Sequence, residues 1–483
     1  MKNKVMTRWN DIPLEAKVSF VYMFCGVIQR GLSFLTMPFF TRFLSTEQYG
    51  QVTIYTSWMS LLTIFLTLQL PYGSFSKAMV KFCHQRDEYV TATEGICLGL
   101  SSLFLLVYIP FRQFWNCFFE LPTYIILIMV FEIISNTIIV MWSSKKKFEN
   151  RYKEVVVLTL SMAVLSLILQ ILFVCMFDEK GYARIIGSAL VTIVFGGSLF
   201  VKSIIKAKSL YNKIFWNYAL RFNIPLILYY LSQMVFNTSD RIMISHMVDK
   251  GAAAIYGVSY NIAFACDILL VSINNTYIPW FYNKMEKKDY SDIKQVVNII
   301  IGILACVFLG VIWFAPEIIM IVAGEKYMSA AWNIPPVTIS VLLLFLAQLT
   351  NNILFYYEKK KGLIYASVIS ALLNVFLNWM FIPRFGWIAA GYTTFFSYLM
   401  FALINYIAAR KLLKREKISG ELFDIKSIVV IVFAFLILSS LGVVFYNQRI
   451  VRICFGIVLL VFMFAIRKVI MRYWNIIKNK YGE

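Results

Sequence analysis

Fourteen stretches of predominantly apolar residues follow one another along this chain, at roughly 18–37, 52–70, 92–111, 121–142, 155–176, 182–201, 222–243, 254–276, 296–315, 334–356, 363–382, 387–407, 427–446 and 450–470. A helix needs about 20 such residues to cross the hydrocarbon of a bilayer. The succession therefore predicts an all-α integral membrane fold of about 14 transmembrane helices. Composition agrees: 60% of the 483 residues are hydrophobic and 15% charged, against about 25% charged in soluble domains. A water-soluble interior grows too slowly with length to hide that much apolar surface.

The charges test the division. With the N-terminus placed inside, the segments on that side carry thirty-five Lys and Arg, and the opposite segments carry ten. Cytoplasmic loops accumulate Lys and Arg. One helix missed or invented would exchange the sides downstream and erase the asymmetry. Both termini are thus expected in the cytoplasm, and the net charge of +21 reads as topology. Nucleic acid is not an expected partner. The first run contains Gln29 and Arg30 and lacks a small-residue cleavage site, so it reads as an uncleaved span. Eight scattered cysteines without a CxxC pair, and two histidines, His84 and His246, predict neither a disulfide framework nor a metal site.

An internal repeat divides the runs. Tyr49-Gly50 before the second run recurs as Tyr256-Gly257 before the eighth, 207 residues later. Gly181-Tyr182 with Gly187 recurs as Gly386-Trp387 with Gly391, at an offset of about 205. The offset spans six helices, an even number, so the halves run in the same orientation. That is the parallel-repeat plan of some secondary transporters. The expected domains are an N-terminal six-helix bundle over 1–201, a C-terminal six-helix bundle over 202–410, and two additional transmembrane helices with a cytoplasmic tail over 411–483.

Several segments carry a family resemblance. They are Pro38 to Gly50, Ile224-Pro225-Leu226 followed by Asn237 to Ile244 and Ile255-Tyr256-Gly257, and Gly386 to Thr394. In these the chain resembles Wzx-type flippases, the polysaccharide-export branch of the multidrug/oligosaccharidyl-lipid/polysaccharide (MOP) transporter superfamily. The resemblance runs over nearly the whole chain. It implies a MATE-like pair of bundles in a bacterial cytoplasmic membrane, with alternating access around a central cavity. It further implies transport of undecaprenyl-diphosphate-linked oligosaccharides for O-antigen, capsule or exopolysaccharide, with polymerase and chain-length partners. No bond is made or broken in such a cycle, so no enzyme is expected. No cofactor is expected beyond H⁺ or Na⁺ as coupling ion.

Ionisable groups inside spans cost about 2.5–3.5 kcal/mol at a helix centre on insertion scales, and each calls for a reason. Arg30 lies roughly 18 Å into the first run at 1.5 Å per residue. It faces a polar cavity and an anionic head group, or pairs with a structural carboxylate. Near the outer end of the seventh run, Arg241 is a head-group cation and Asp240 a coupling-ion candidate, pointing about 100° apart and so not at one point, or the two make an interfacial salt bridge or helix-end interaction. A planar guanidinium suits diphosphate because it donates two parallel hydrogen bonds. Arg42 is a further head-group candidate or a plain loop charge. Glu132 and Asp267, near mid-depth of the fourth and eighth runs, join Asp240 as coupling-ion candidates. Gln348, Asn351 and Asn352 in the tenth run, and Asn374 and Asn378 in the eleventh, either line a sugar-wetted cavity or hydrogen-bond between helices.

Three competitors remain open. A cell-wall lipid precursor flippase or a drug/cation antiporter shares the superfamily plan, although a cationic cavity repels cationic drugs. A membrane polysaccharide polymerase or glycosyltransferase needs a sizeable outer loop with catalytic groups, and the loops here are short.

Overall fold

The computed structural model describes residues 36–149, 151–207, 209–416, 422–465 and 467. Every regular element among them is helical. The first apolar run and Arg30 lie outside the described residues, except for 36–37 at the end of that run. Each of the other thirteen runs is mainly helical over its described residues. Ten segments among the described residues are long and apolar enough to cross a membrane by length and composition, fewer than the fourteen runs. Thr46–Thr67 and Ile227–Met247 are rich in polar residues, and Arg449–Ala465 has only 17.

The chain divides into two compact units at Thr238–Ser239. In the first, α1 (Thr46–Thr67) starts with a capping box. Gln48 N–H donates to Ser45 Oγ at 3.1 Å, and Ser45 N–H donates to Gln48 Oε1 at 3.1 Å. Two otherwise orphaned donors are thereby satisfied. A short helix, α2 (Phe75–Lys81), precedes α3 (Arg86–Tyr108). Another, α4 (Arg112–Phe119), precedes α5 (Thr123–Phe148), α6 (Tyr152–Met176) and α7 (Lys180–Ala207). The α7 helix packs on both α5 and α6 through glycines. A Cβ on Gly196 would lie 2.5 Å from Ser135 Cβ, and one on Gly187 would lie 2.9 Å from the Gln170 backbone. Lipid supplies no hydrophobic force between helices, so such close backbone approach is what holds them. At one end of the unit, buried Lys145 pairs with Asp87 and buried Lys146 with Glu149 and Glu154 at 3.1 Å each, tying α3, α5 and α6. The amphipathic helix α8 (Lys213–Asn223) is capped by Asn212. It docks through Asn223, whose amide donates to Ser74 Oγ at 2.9 Å.

A 3-10 turn at Ile224–Leu226 leads into α9 (Ile227–Met247), within which the unit boundary falls. The second unit continues with α10 (Lys250–Phe264), α11 (Asp267–Glu286), α12 (Ile293–Trp313), α13 (Ala315–Val322), α14 (Ile334–Tyr356), α15 (Lys360–Phe385) and α16 (Ile388–Arg415). The eighth run, 254–276, is corrected: the helix is interrupted at Ala265–Cys266 and continues to Glu286. Asp267 follows that interruption, near the middle of the continuous Lys250–Glu286 segment. Here α16 packs on α14 and α15, and a Gly391 Cβ would lie 2.5 Å from Asn333 Oδ1. The last helices, α17 (Ile425–Val444) and α18 (Arg449–Ala465), are fastened to α12 and α13. The Trp313 indole donates to Leu438 O at 2.9 Å and stacks on Phe455 at 3.7 Å. Arg452 pairs with Glu317.

The short helices α2, α4, α8 and α13 are absent from the sequence reading. None approaches the length of a span, and hydropathy alone places them in loops.

Candidate functional site

In the second unit, three of the sequence candidates converge. Asp240 on α9 is 1% exposed. Its Oδ2 accepts from Tyr256 Oη at 2.5 Å and from Thr394 Oγ1 at 2.6 Å. Its Oδ1 accepts from Asn378 Nδ2 at 2.5 Å. Asn378 also donates to Asn374 Oδ1 at 3.2 Å, and Ser239 Oγ donates to the same oxygen at 3.0 Å. Thr393 donates to Asn378 Oδ1. Four helices meet here: α9 brings the carboxylate, α10 the tyrosine, α15 the two amides and α16 the two hydroxyls. Asn374 and Asn378 stand one turn apart and so share a face of α15.

Every partner of Asp240 in this cluster is neutral. Among the described residues no Lys or Arg forms an ion pair with it. A bare buried carboxylate costs several kcal/mol even when hydrogen-bonded. Chemically, such an arrangement can accommodate a bound proton or a small monovalent cation. Its oxygens, from carboxylate, amide and hydroxyl, are the hard donors such a cation prefers. Arg241 turns the other way, with its guanidinium 4.4 Å from the Tyr260 ring centroid. Tyr260 stacks on Phe264 at 4.2 Å. Successive helical residues point about 100° apart, which explains why Asp240 and Arg241 are not partners.

The remaining candidates separate. In the first unit, Glu132 on α5 is 8% exposed, and its Oε2 accepts from Tyr55 Oη at 2.5 Å. Asp267 is half-buried at the start of α11. Gln348 Oε1 accepts from Asn274 Nδ2 at 2.7 Å. Asn351 and Asn352 are buried, and Asn351 Oδ1 and Asn352 Nδ2 have no hydrogen-bond partner among the described residues. Arg42 is exposed.

Tyr256, Thr393 and Thr394 belong to the cluster but were read from the sequence only as parts of motifs. The two echoes of the repeat flagged their neighbourhoods, since Tyr256 belongs to one echo and Thr394 follows Gly391 of the other. A buried carboxylate was also missed in the first unit. Glu94 on α3 is 1% exposed and accepts from Ser203 Oγ at 3.3 Å.

Comparison with known proteins follows the same lines. A family described as "Polysaccharide biosynthesis protein" matches residues 16–286, and the MatE family matches residues 225–380, a segment containing Asp240, Tyr256, Asn374 and Asn378. The chain is 25% identical over 370 residues to "Lsg locus putative protein 1" of Haemophilus influenzae, covering 74% of this chain and 89% of that protein. Its fold is similar to that of the lipid II flippase MurJ in an inward closed conformation. The TM-score is 0.73 at 16% identity, over 93% of this chain and 100% of that one. It is also similar to an inward-facing multidrug-resistance MATE transporter of the MOP superfamily. There the TM-score is 0.64 at 12% identity, over 81% of this chain and 96% of that one. The first family match spans more than half of the chain, and the protein accordingly belongs to the polysaccharide biosynthesis protein family.

Proposed function

We propose that this protein is an ion-coupled flippase for lipid-diphosphate-linked oligosaccharides, with both termini in the cytoplasm of a bacterial cell. Moving such a molecule unaided would strip water from a diphosphate and from many hydroxyls, a prohibitive cost. The helices supply a path for the wet portion while the polyprenyl tail stays in lipid. The products would feed a polysaccharide polymerase and its chain-length partners, for O-antigen, capsule or exopolysaccharide. The two six-helix bundles are 1–201 and 202–410, and the pair after 411 is an accessory.

The observation that carries the reading is the Asp240 cluster, a buried carboxylate ringed only by neutral donors. Such a group holds a proton or Na⁺ in one state and releases it in another. That exchange is how a membrane carboxylate couples an ion gradient to transport. Arg241, next to it in sequence, supplies a guanidinium suited to diphosphate. Arg30 and Arg42 are the other proposed cations. The match of the MatE family to residues 225–380 favours one second reading, a drug/cation antiporter driven through the same carboxylate.

The test is reconstitution in liposomes with a fluorescent polyprenyl-diphosphate oligosaccharide, following its sidedness under a pH or Na⁺ gradient. Gradient-stimulated flipping that is lost in Asp240→Asn is the expected result. Efflux of a cationic dye without flipping would establish the antiporter instead. Elongation of the glycan by purified protein would overturn both readings.

A further inference from the structure

A groove in the second unit lies between α14, α16 and α17 and has two connected parts. The apolar part, of about 370 Å³, runs from Leu399 on α16 toward Ile425 on α17. The other part, of about 270 Å³, is lined by Arg410 and Lys414. Thr350, Tyr406, Phe423 and Ile425 line both, so the groove is continuous. Along α16 it extends from Leu399 to Lys414, about 22 Å at 1.5 Å per residue. Half of a bilayer's hydrocarbon is about 15 Å thick. The groove is therefore one leaflet deep plus a head group, apolar through its length and cationic at one end. Charge asymmetry along the sequence assigns that end to the cytoplasm.

We propose that this groove holds one anionic glycerophospholipid of the cytoplasmic leaflet, with its phosphate on Arg410 and Lys414 and an acyl chain along Leu399 and Leu403. Both basic side chains are exposed, and neither forms an ion pair among the described residues. Basic pockets between helices on the cytoplasmic side recognise anionic lipid head groups in this way. The depth favours a glycerophospholipid over a polyprenyl diphosphate, whose tail exceeds one leaflet. A lipid seated here clamps α17 to α14 and α16, independently of any transported substrate.

The test uses the full-length protein in native mass spectrometry, with phosphatidylglycerol and phosphatidylethanolamine offered in equal amounts. The intact protein is expected to retain phosphatidylglycerol about tenfold or more over phosphatidylethanolamine. Arg410→Ala with Lys414→Ala is expected to abolish the preference. Lys411→Ala with Arg415→Ala, on the same turns of α16 but outside the groove, is expected to keep it. Ala402→Phe, which fills the apolar part, is expected to lower total lipid retained. An intact protein without preference overturns the proposal even if every variant misfolds. Equal loss in both double variants, or retention of an added polyprenyl diphosphate in place of phosphatidylglycerol, also overturns it.

Discussion

In the first unit Glu132 receives one hydroxyl, from Tyr55 at 2.5 Å, while in the second Asp240 is held by Tyr256, Thr394 and Asn378 from three other helices. Both carboxylates lie deep in helices of a membrane fold. Their surroundings differ in kind. Glu132 has the partner expected of a structural carboxylate tethered to a neighbouring helix. Asp240 sits in a preorganised shell whose members also bind one another, as in Asn378 to Asn374 and Ser239 to Asn374. A shell of that kind fixes the geometry whether the carboxylate is charged, protonated or cation-bound. The sequence echoes relate the two halves, yet of these two carboxylates only Asp240 is enclosed by a shell of neutral donors from several helices. Transport coupling should therefore be lopsided.

Removing the Asp240 charge should have the greatest consequence. Asp240→Asn preserves shape, and the Tyr256 and Thr394 hydroxyls can rotate to accept from the new amide. The fold should survive while the ionisable group is lost. Gradient-stimulated flipping is expected to fall about 5- to 150-fold, the range of ordinary coupling energies. Glu132→Gln is expected to keep most of its gradient response in the same liposome assay. If Glu132→Gln loses as much as Asp240→Asn, the lopsided picture is wrong and both halves bind coupling ions.

Tyrosine substitutions sharpen the contrast through stability, with the order reversed. Tyr55→Phe removes the hydroxyl that meets Glu132 and leaves a buried carboxylate short of a donor, at a cost of about 1–3 kcal/mol. Tyr256→Phe leaves Asp240 with Thr394 and Asn378, and the loss should be nearer the net worth of one hydrogen bond, about 0.5–1.5 kcal/mol. Thermal unfolding of the purified variants in one detergent measures both. A larger loss for Tyr256→Phe would show that the shell around Asp240 does not compensate internally.

Much of this was legible in the sequence, for physical reasons that also set the limit. Apolar runs of bilayer length and the Lys/Arg asymmetry are local properties, so the helices followed from them. Asp240, Asn374 and Asn378 were each visible as polar residues inside spans. Their meeting was not, because the bonds that tie α9 to α15 and α16 cross 135 to 154 positions of chain. The interruption at Ala265–Cys266 escaped for a different reason, since hydropathy runs unbroken through those two residues. The short helices that dock on the spans escaped as well, because amphipathic segments of 7 to 11 residues look like loops to any pattern of bilayer length.

The two units also share a device, an arginine laid over an aromatic ring. In the first, the Arg184 guanidinium lies 4.0 Å from the Phe40 centroid and 5.4 Å from that of Tyr49. In the second, Arg241 lies over Tyr260. Tyr49 belongs to one copy of the Tyr-Gly echo, and Tyr260 lies one turn beyond the other copy, Tyr256-Gly257. A lysine keeps the charge but loses planar stacking and the two-pronged donor set. Arg184→Lys and Arg241→Lys should each cost about 0.5–2 kcal/mol of stability, the worth of a cation–π contact. Only Arg241→Lys is expected to raise the half-saturating concentration of lipid-diphosphate oligosaccharide, because only that arginine neighbours Asp240 in sequence. Titrating substrate in liposomes at a fixed gradient separates the outcomes. An unchanged half-saturation in Arg241→Lys would make its ring contact purely structural and would leave the diphosphate to other cations, whereas an equal rise in both variants would mean that each half contributes one arginine to the same anionic ligand.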